Sequence, residues 1–220
     1  MNHNSPGVRG GKRRPARQPA AWRLPLGRMR DLLALLVARG PVYAPVRGAE
    51  GPKMREVSNT MALSRRPMRP RFGPEVAVLP PADVFLGHCS APPAARLGPE
   101  GVVLFGLPPC VVYDLQYLDS LLAAGPFRDA AYARRRRSAL IVAMNCIAQR
   151  PGCRCAALGT GPRLRNRKDA DLVLTPLGPA FLIETGSPAG SAIVTRLGLA
   201  SIHKGRQGRP RGREQQEGET

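Results

Sequence analysis

The chain reads as an α/β fold: a mixed sheet with helices packed on it, a small N-terminal α+β lobe, and disordered basic tails. Three observations lead there. Between residues 101 and 200, short apolar runs alternate with helical patterns, as expected where strands and helices form layers. The runs are uniformly apolar, so they read as strands buried on both faces. Both ends are polar, Gly/Pro-rich and basic, a composition that buries too little apolar surface to order itself. The expected division is a basic arm at 1–23, one α/β domain at 24–200 and a second tail at 201–220. A chain of 220 residues is long enough to bury a core without disulfide staples.

The elements follow in order. Met29, Leu32, Leu33 and Leu36 fall at helical spacing over 26–39, and Gly40-Pro41 stops that helix. Val42-Tyr43-Ala44-Pro45-Val46 reads as a strand, 48–52 as a turn and 54–57 as a second strand. This helix and hairpin form the expected small lobe. Residues 58–100 carry eight prolines spaced to forbid long regular elements, with short exceptions at 76–79 and 82–86.

Val102-Val103-Leu104-Phe105 is a buried strand, followed by a turn at 106–109. Val111, Leu115, Leu118 and Leu122 then share one helix face. Asp129 suits the start of a second, basic helix reaching Arg137. A strand at 139–144 leads into a Cys- and Gly-rich loop at 145–162 and a basic loop at 163–168. Strands at 171–175 and 180–184 follow. Ser187-Pro188 marks the N-terminus of a last helix ending near Leu199.

Charge is lopsided: 34 Lys plus Arg against 15 Asp plus Glu, a net of +19. Residues 1–23 and 203–213 hold basic residues and no acidic ones. A basic surface can bind nucleic acid through phosphates. The alternative is compositional: 30 Arg against 4 Lys, with 24 Gly and 24 Pro, is the bias of a GC-rich coding sequence. No aromatics interleave with the basic tails as a single-strand binder requires. No apolar run reaches the ~18–20 residues of a membrane span, and no secretory signal pattern is present. The expectation is a cytoplasmic protein with reduced thiols, where clustered cysteines point to metal or redox chemistry.

Three of the five cysteines, Cys146, Cys153 and Cys155, lie within ten residues. Cys110 follows the strand preceding theirs, and strand ends in an α/β sheet converge on one ligand-binding edge. Four thiolates suit Zn²⁺ or an iron–sulfur cluster. The bland alternative makes Cys110 and Cys146 small buried hydrophobes and leaves the other two idle.

Cys89 beside His88 reads as a surface loop, with His88 as an auxiliary ligand the sharper alternative. Gly159-Thr160-Gly161 is too short a glycine pattern to specify a phosphate site and is expected to turn the backbone around whatever the cysteines hold. Glu184 is expected to pair with an arginine. Arg134 to Arg137 wrap around their helix and are expected to form a solvated basic face. No Ser-His-Asp, His-x-x-x-His or paired-carboxylate pattern is present, and with three histidines acid–base catalysis has few candidates.

The residues also resemble a family. Phe105-Gly106, Pro109-Cys110, Leu118-Asp119, Phe127-Arg128-Asp129 with Tyr132 and Arg135-Arg136, Leu140-Ile141-Val142 with Asn145-Cys146, Pro151-Gly152-Cys153-Arg154-Cys155, Gly159-Thr160-Gly161-Pro162, and Leu182-Ile183-Glu184 with Gly186-Ser187 and Gly190 occur in order. They resemble the N-terminal domain of the 4Fe–4S dicluster electron-transfer subunits, the sulfhydrogenase beta and anaerobic sulfite reductase A subunits.

The resemblance implies a non-catalytic electron-transfer component working between a flavin/nicotinamide subunit and a catalytic subunit. It implies that Cys110, Cys146, Cys153 and Cys155 hold one [4Fe–4S] cluster, with zinc as the less favoured occupant, and that Gly159, Thr160 and Gly161 line it. Two further readings are a cluster-free adaptor that keeps the fold and a basic nucleic-acid-binding protein.

Three departures stand out. The family's ferredoxin half, with its two four-cysteine runs, is absent from these residues. Pro108-Pro109-Cys110-Val111 replaces Arg-Pro-Cys-Asp, removing the charged neighbours of the first thiol. Arg154 stands where an aromatic is usual.

Overall fold

The computed structural model describes residues 21–71, 73–78, 101–124, 126, 128–149 and 151–202. The two tails beyond them, the piece at 82–86, and His88 with Cys89 lie outside the described residues. The α/β expectation holds. Among the described residues, eight strands form one mixed sheet in the order β3-β2-β4-β5-β6-β7-β1-β8. They are β1 (Ala21–Pro25), β2 (Val42–Gly48), β3 (Gly51–Glu56), β4 (Val103–Leu107), β5 (Leu140–Met144), β6 (Leu172–Pro176), β7 (Ala180–Thr185) and β8 (Ser201–Ile202). Strands β2, β4, β5 and β6 run parallel, while β3, β7, β1 and β8 pair antiparallel with their neighbours.

Helices α1 (Met29–Val37) and α5 (Pro188–Leu197) cover one face of the sheet. Helices α2 (Glu75–Val78), α3 (Pro109–Leu118) and α4 (Ala130–Ser138) cover the other. The central strands explain themselves. Every residue of β4 and β5 is buried, because alternate side chains enter opposite helical layers. Phe105 and Val142 join Leu32, Leu36 and Val194 on the first face. Leu104 and Ile141 join Val111, Leu115 and Tyr132 on the second.

The N-terminal helix and hairpin do not stand apart: β3 and β2 continue the sheet as its edge, through β2–β4 pairing at Val42 and Tyr43. That pairing stops before Pro45, which has no N–H to offer a second neighbour. Strand β4 runs past the turn expected at Gly106. The residue takes φ +73° at a register shift between Phe105 and Leu107, a bulge glycine accommodates cheaply. Strand β1 begins at Ala21, inside the segment read as an arm. Its partners Glu184, Ile183 and Leu182 lie some 160 residues away, so no local pattern announces it.

Both predicted helix caps form. Asp129 accepts from Tyr132 N at 2.8 Å and Ser187 from Gly190 N at 3.1 Å. Helix α3 continues into one π-helical turn (Asp119–Ala123), and the turn brings Asp119 to α4. There Tyr132 donates its hydroxyl to Asp119 Oδ1 at 2.8 Å, and Arg136 Nε lies 3.0 Å from the same oxygen. Arg135 is buried, donating Nε to Val78 O at 2.8 Å. Of the four arginines expected on a solvated face, Arg135 and Arg136 thus turn inward, because α2 and the π turn supply the acceptors.

Burial, reinforced by the hydrogen bond to the Asp119 carboxylate, pushes the Tyr132 phenol well above its usual value, with Arg136 partly opposing. The raised value favours the protonated form in the folded state. The stabilising difference is therefore fully present below the unfolded tyrosine value, about pH 10, and is lost as pH rises from there through the raised folded-state value. In a spectrophotometric titration, wild type and Tyr132→Phe are expected to show the same reversible tyrosinate amplitude until the chain unfolds. A larger amplitude in the folded wild type would show that Tyr132 ionises in place.

Candidate functional site

The carboxyl ends of β4 and β5 lie side by side, and each runs into a cysteine. After β4, Pro108-Pro109 opens α3. Val111 N and Val112 N both donate to Pro108 O, at 2.9 and 3.2 Å, leaving Cys110 in the first turn, half-buried. After β5, Asn145 and Cys146 begin the long connection to β6. Cys146 N donates to Pro162 O at 3.0 Å, so the loop between them returns to its own start.

The return is held by Asn145, which is buried. Its Nδ2 donates to Thr175 Oγ1 on β6, and its Oδ1 accepts from Leu164 N, both at 2.8 Å. At the far end, the Asp171 carboxylate accepts from Ile141 N at 2.8 Å and from the Ser187 hydroxyl.

Inside the loop, Thr160 N donates to Cys155 O at 2.8 Å, closing a short ring around the second cysteine of the C-x-C pair. Gly161 lies against that cysteine. A Cβ there would sit 3.1 Å from Cys155 Sγ and 3.9 Å from Pro109 Cβ, so a side chain would push between Cys155 and the start of α3. The glycine pattern therefore wraps the backbone around Cys155.

Cys155 is also close enough to Cys110 for a thiolate there to disfavour ionisation of Cys110. Through Gly161, Cys155 lies near Pro109, the residue that precedes Cys110 in α3. Cys146 is half-buried at the loop's start, and Cys153 is exposed. Among the described residues, no three Cys, His, Asp or Glu side chains are gathered as a ready-made metal-binding group.

Burial pushes the Cys110 thiol above its ordinary range. The Arg69 guanidinium opposes that shift, and the Asp114 and Cys155 charges add to it. Arg69 Nη2 lies 3.6 Å from Asp114 Oδ2. The charged neighbours missing from the sequence on either side of Cys110 are thus supplied from elsewhere. Asp114 stands four residues along α3, a spacing that places it on the same helix face. Arg69 comes from an irregular segment and carries no sequence signal. Asn145 was visible only as part of a motif, and its clamping role depends on β6.

Glu184 lines a cleft with Arg165, Arg167 and Lys168. It makes no ion pair within 4.0 Å among the described residues, contrary to the expected arginine pairing.

Fold and edge together define an α/β module that presents cysteines at the carboxyl ends of adjacent parallel strands. Over 155 residues the chain is 29% identical to the sulfhydrogenase 2 subunit beta of Pyrococcus furiosus. The match covers 70% of this chain and 45% of that protein, so the chain spans less than half the length of its relative. No protein-family model matches. No helix among the described residues is long and apolar enough to cross a membrane.

Two outcomes are expected. Replacing Asn145 with Ala leaves the Leu164 amide and the Thr175 hydroxyl without their partner. It should cost about 1–3 kcal/mol, read from denaturant unfolding. In the metal-free protein at neutral pH, iodoacetamide should alkylate exposed Cys153 before Cys110. Arg69→Gln should slow Cys110 further, because it removes the charge that favours the thiolate; mass spectrometry of tryptic peptides reads both rates.

Proposed function

We propose that this chain is an electron-transfer component of a hydrogenase-like redox complex, with Cys110, Cys146, Cys153 and Cys155 together holding one [4Fe–4S] cluster. The observation that carries the reading is the seat of Gly161 between Cys155 and Pro109, next to Cys110, at the carboxyl edge of β4 and β5, in a chain related to a hydrogenase beta subunit. The donor chemistry fits, since four thiolates are the usual ligand set of such clusters. The geometry supplies part of it: the loop that carries Cys146, Cys153 and Cys155 returns to the start of α3, where Cys110 sits. Zinc fits the same donors and is the less favoured occupant.

The roles of the chain's own residues follow. Gly159, Thr160 and Gly161 bend the backbone tightly enough to keep Cys155 facing α3. Arg69 beside Cys110, and Arg154 between the paired cysteines, bring positive charge to the edge, which favours the more reduced state of any centre held there. Asn145 fixes the loop to β6. A bound cluster supplies one-electron transfer. The partners in this reading are a flavin- or nicotinamide-bearing subunit and a catalytic subunit, and the compartment is the reducing cytoplasm.

Anaerobic reconstitution with iron and sulfide tests the assignment. Iron and sulfide should be retained in the ratio of one [4Fe–4S] cluster per chain, with a matching visible absorption. Cys110→Ser and Cys155→Ser should abolish retention. A colourless protein after reconstitution, or equal retention in both variants, overturns the assignment. The first of these favours a cluster-free adaptor built on the same fold.

A further inference from the structure

Among the described residues, the connection from β5 to β6 contains no α-helix, and its only regular piece is a 3₁₀ turn (Arg167–Asp169). A loop covers less surface than a helix would, and it leaves a cleft of about 340 Å³. Val173 on β6 and Glu184 on β7, paired across the sheet, line it. So do Asn145, Arg165, Arg167 and Lys168.

None of the three cations is in an ion pair among the described residues. The Arg165 guanidinium lies against Gly159, where a Cβ would come within 2.8 Å of its Nη2.

We propose that this cleft is a binding site for a small phosphate-bearing anion. Three cations against one carboxylate leave two positive charges, matching the nearly doubly charged phosphate group at neutral pH better than a single carboxylate. Guanidinium forks present paired donors to phosphate oxygens. The volume falls within the range of small-ligand pockets and exceeds what one carboxylate fills. Glu184 sits among these cations as an acceptor, suited to a hydroxyl of a phosphate ester. The inference is independent of the cysteine assignment, because no thiol lines the cleft.

Equilibrium dialysis of the full chain, not reconstituted with metal, tests it with two probes, inorganic phosphate and adenosine monophosphate. Saturable binding of at least one is expected. Tighter binding of the nucleotide identifies an ester ligand, and equal or tighter binding of phosphate identifies the free anion. The double variant Arg167→Gln/Lys168→Gln should weaken binding roughly tenfold or more. Glu184→Gln should tighten binding of inorganic phosphate, since it removes a like charge. Arg206→Gln/Arg209→Gln, in the C-terminal tail, should change nothing, and circular dichroism checks that each variant is folded. No saturable binding of either probe overturns the proposal. So does undiminished binding by the folded cleft variant, or an equal loss in the tail variant.

Discussion

Two side chains, Asn145 and Asp171, hold the ends of the connection between the adjacent parallel strands β5 and β6. Such a crossover is ordinarily a helix, whose apolar face binds it to the sheet. Here 26 residues of backbone between Met144 and Asp171 must be positioned largely by polar contacts. The buried Asn145 amide and the half-buried Asp171 carboxylate suit that task because each holds two partners at once, and leaving one unmade is costly. Asn145 joins the loop to β6; Asp171 joins β5 to the start of α5. The thiol loop, the glycine turn and the basic residues of the cleft all lie between these two clamps.

The electrostatics of the thiol edge follow from the same arrangement. Cys110 sits where α3 leaves the sheet, so one side meets the apolar layer of α3 and β4 and the other meets the loop. Burial alone disfavours its thiolate, and Arg69 reduces that penalty. Arg69 reaches the site from the irregular, proline-rich segment after β3. That segment therefore contributes charge to the edge although it contributes little regular structure to the fold.

The thiol edge and the basic cleft are physically continuous. Arg165 lies on Gly159, Gly161 lies on Cys155, and Thr160 closes the ring between them. The relative from Pyrococcus furiosus extends well beyond the matched region.

Much of the fold was legible because its signals are local. The uniformly apolar β4 and β5, the helical spacing of Met29 to Leu36, and the caps Asp129 and Ser187 each depend on residues a few positions apart. Strand ends carrying Cys110 and Cys146 could likewise be read from order along the chain. Other features were decided only by contacts across the sheet. Strand β1 exists through its pairing with β7, and Arg135 and Arg136 turn inward because α2 and the π turn offer acceptors. Arg69 and Asp114 bring charge to the neighbourhood of Cys110, and Glu184 faces a cleft instead of pairing. The physical reason is range: caps, periodicity and strand propensity act within one element. Partners for a buried charge, the company of a thiol and the space left by a helix-less crossover depend on which elements become neighbours.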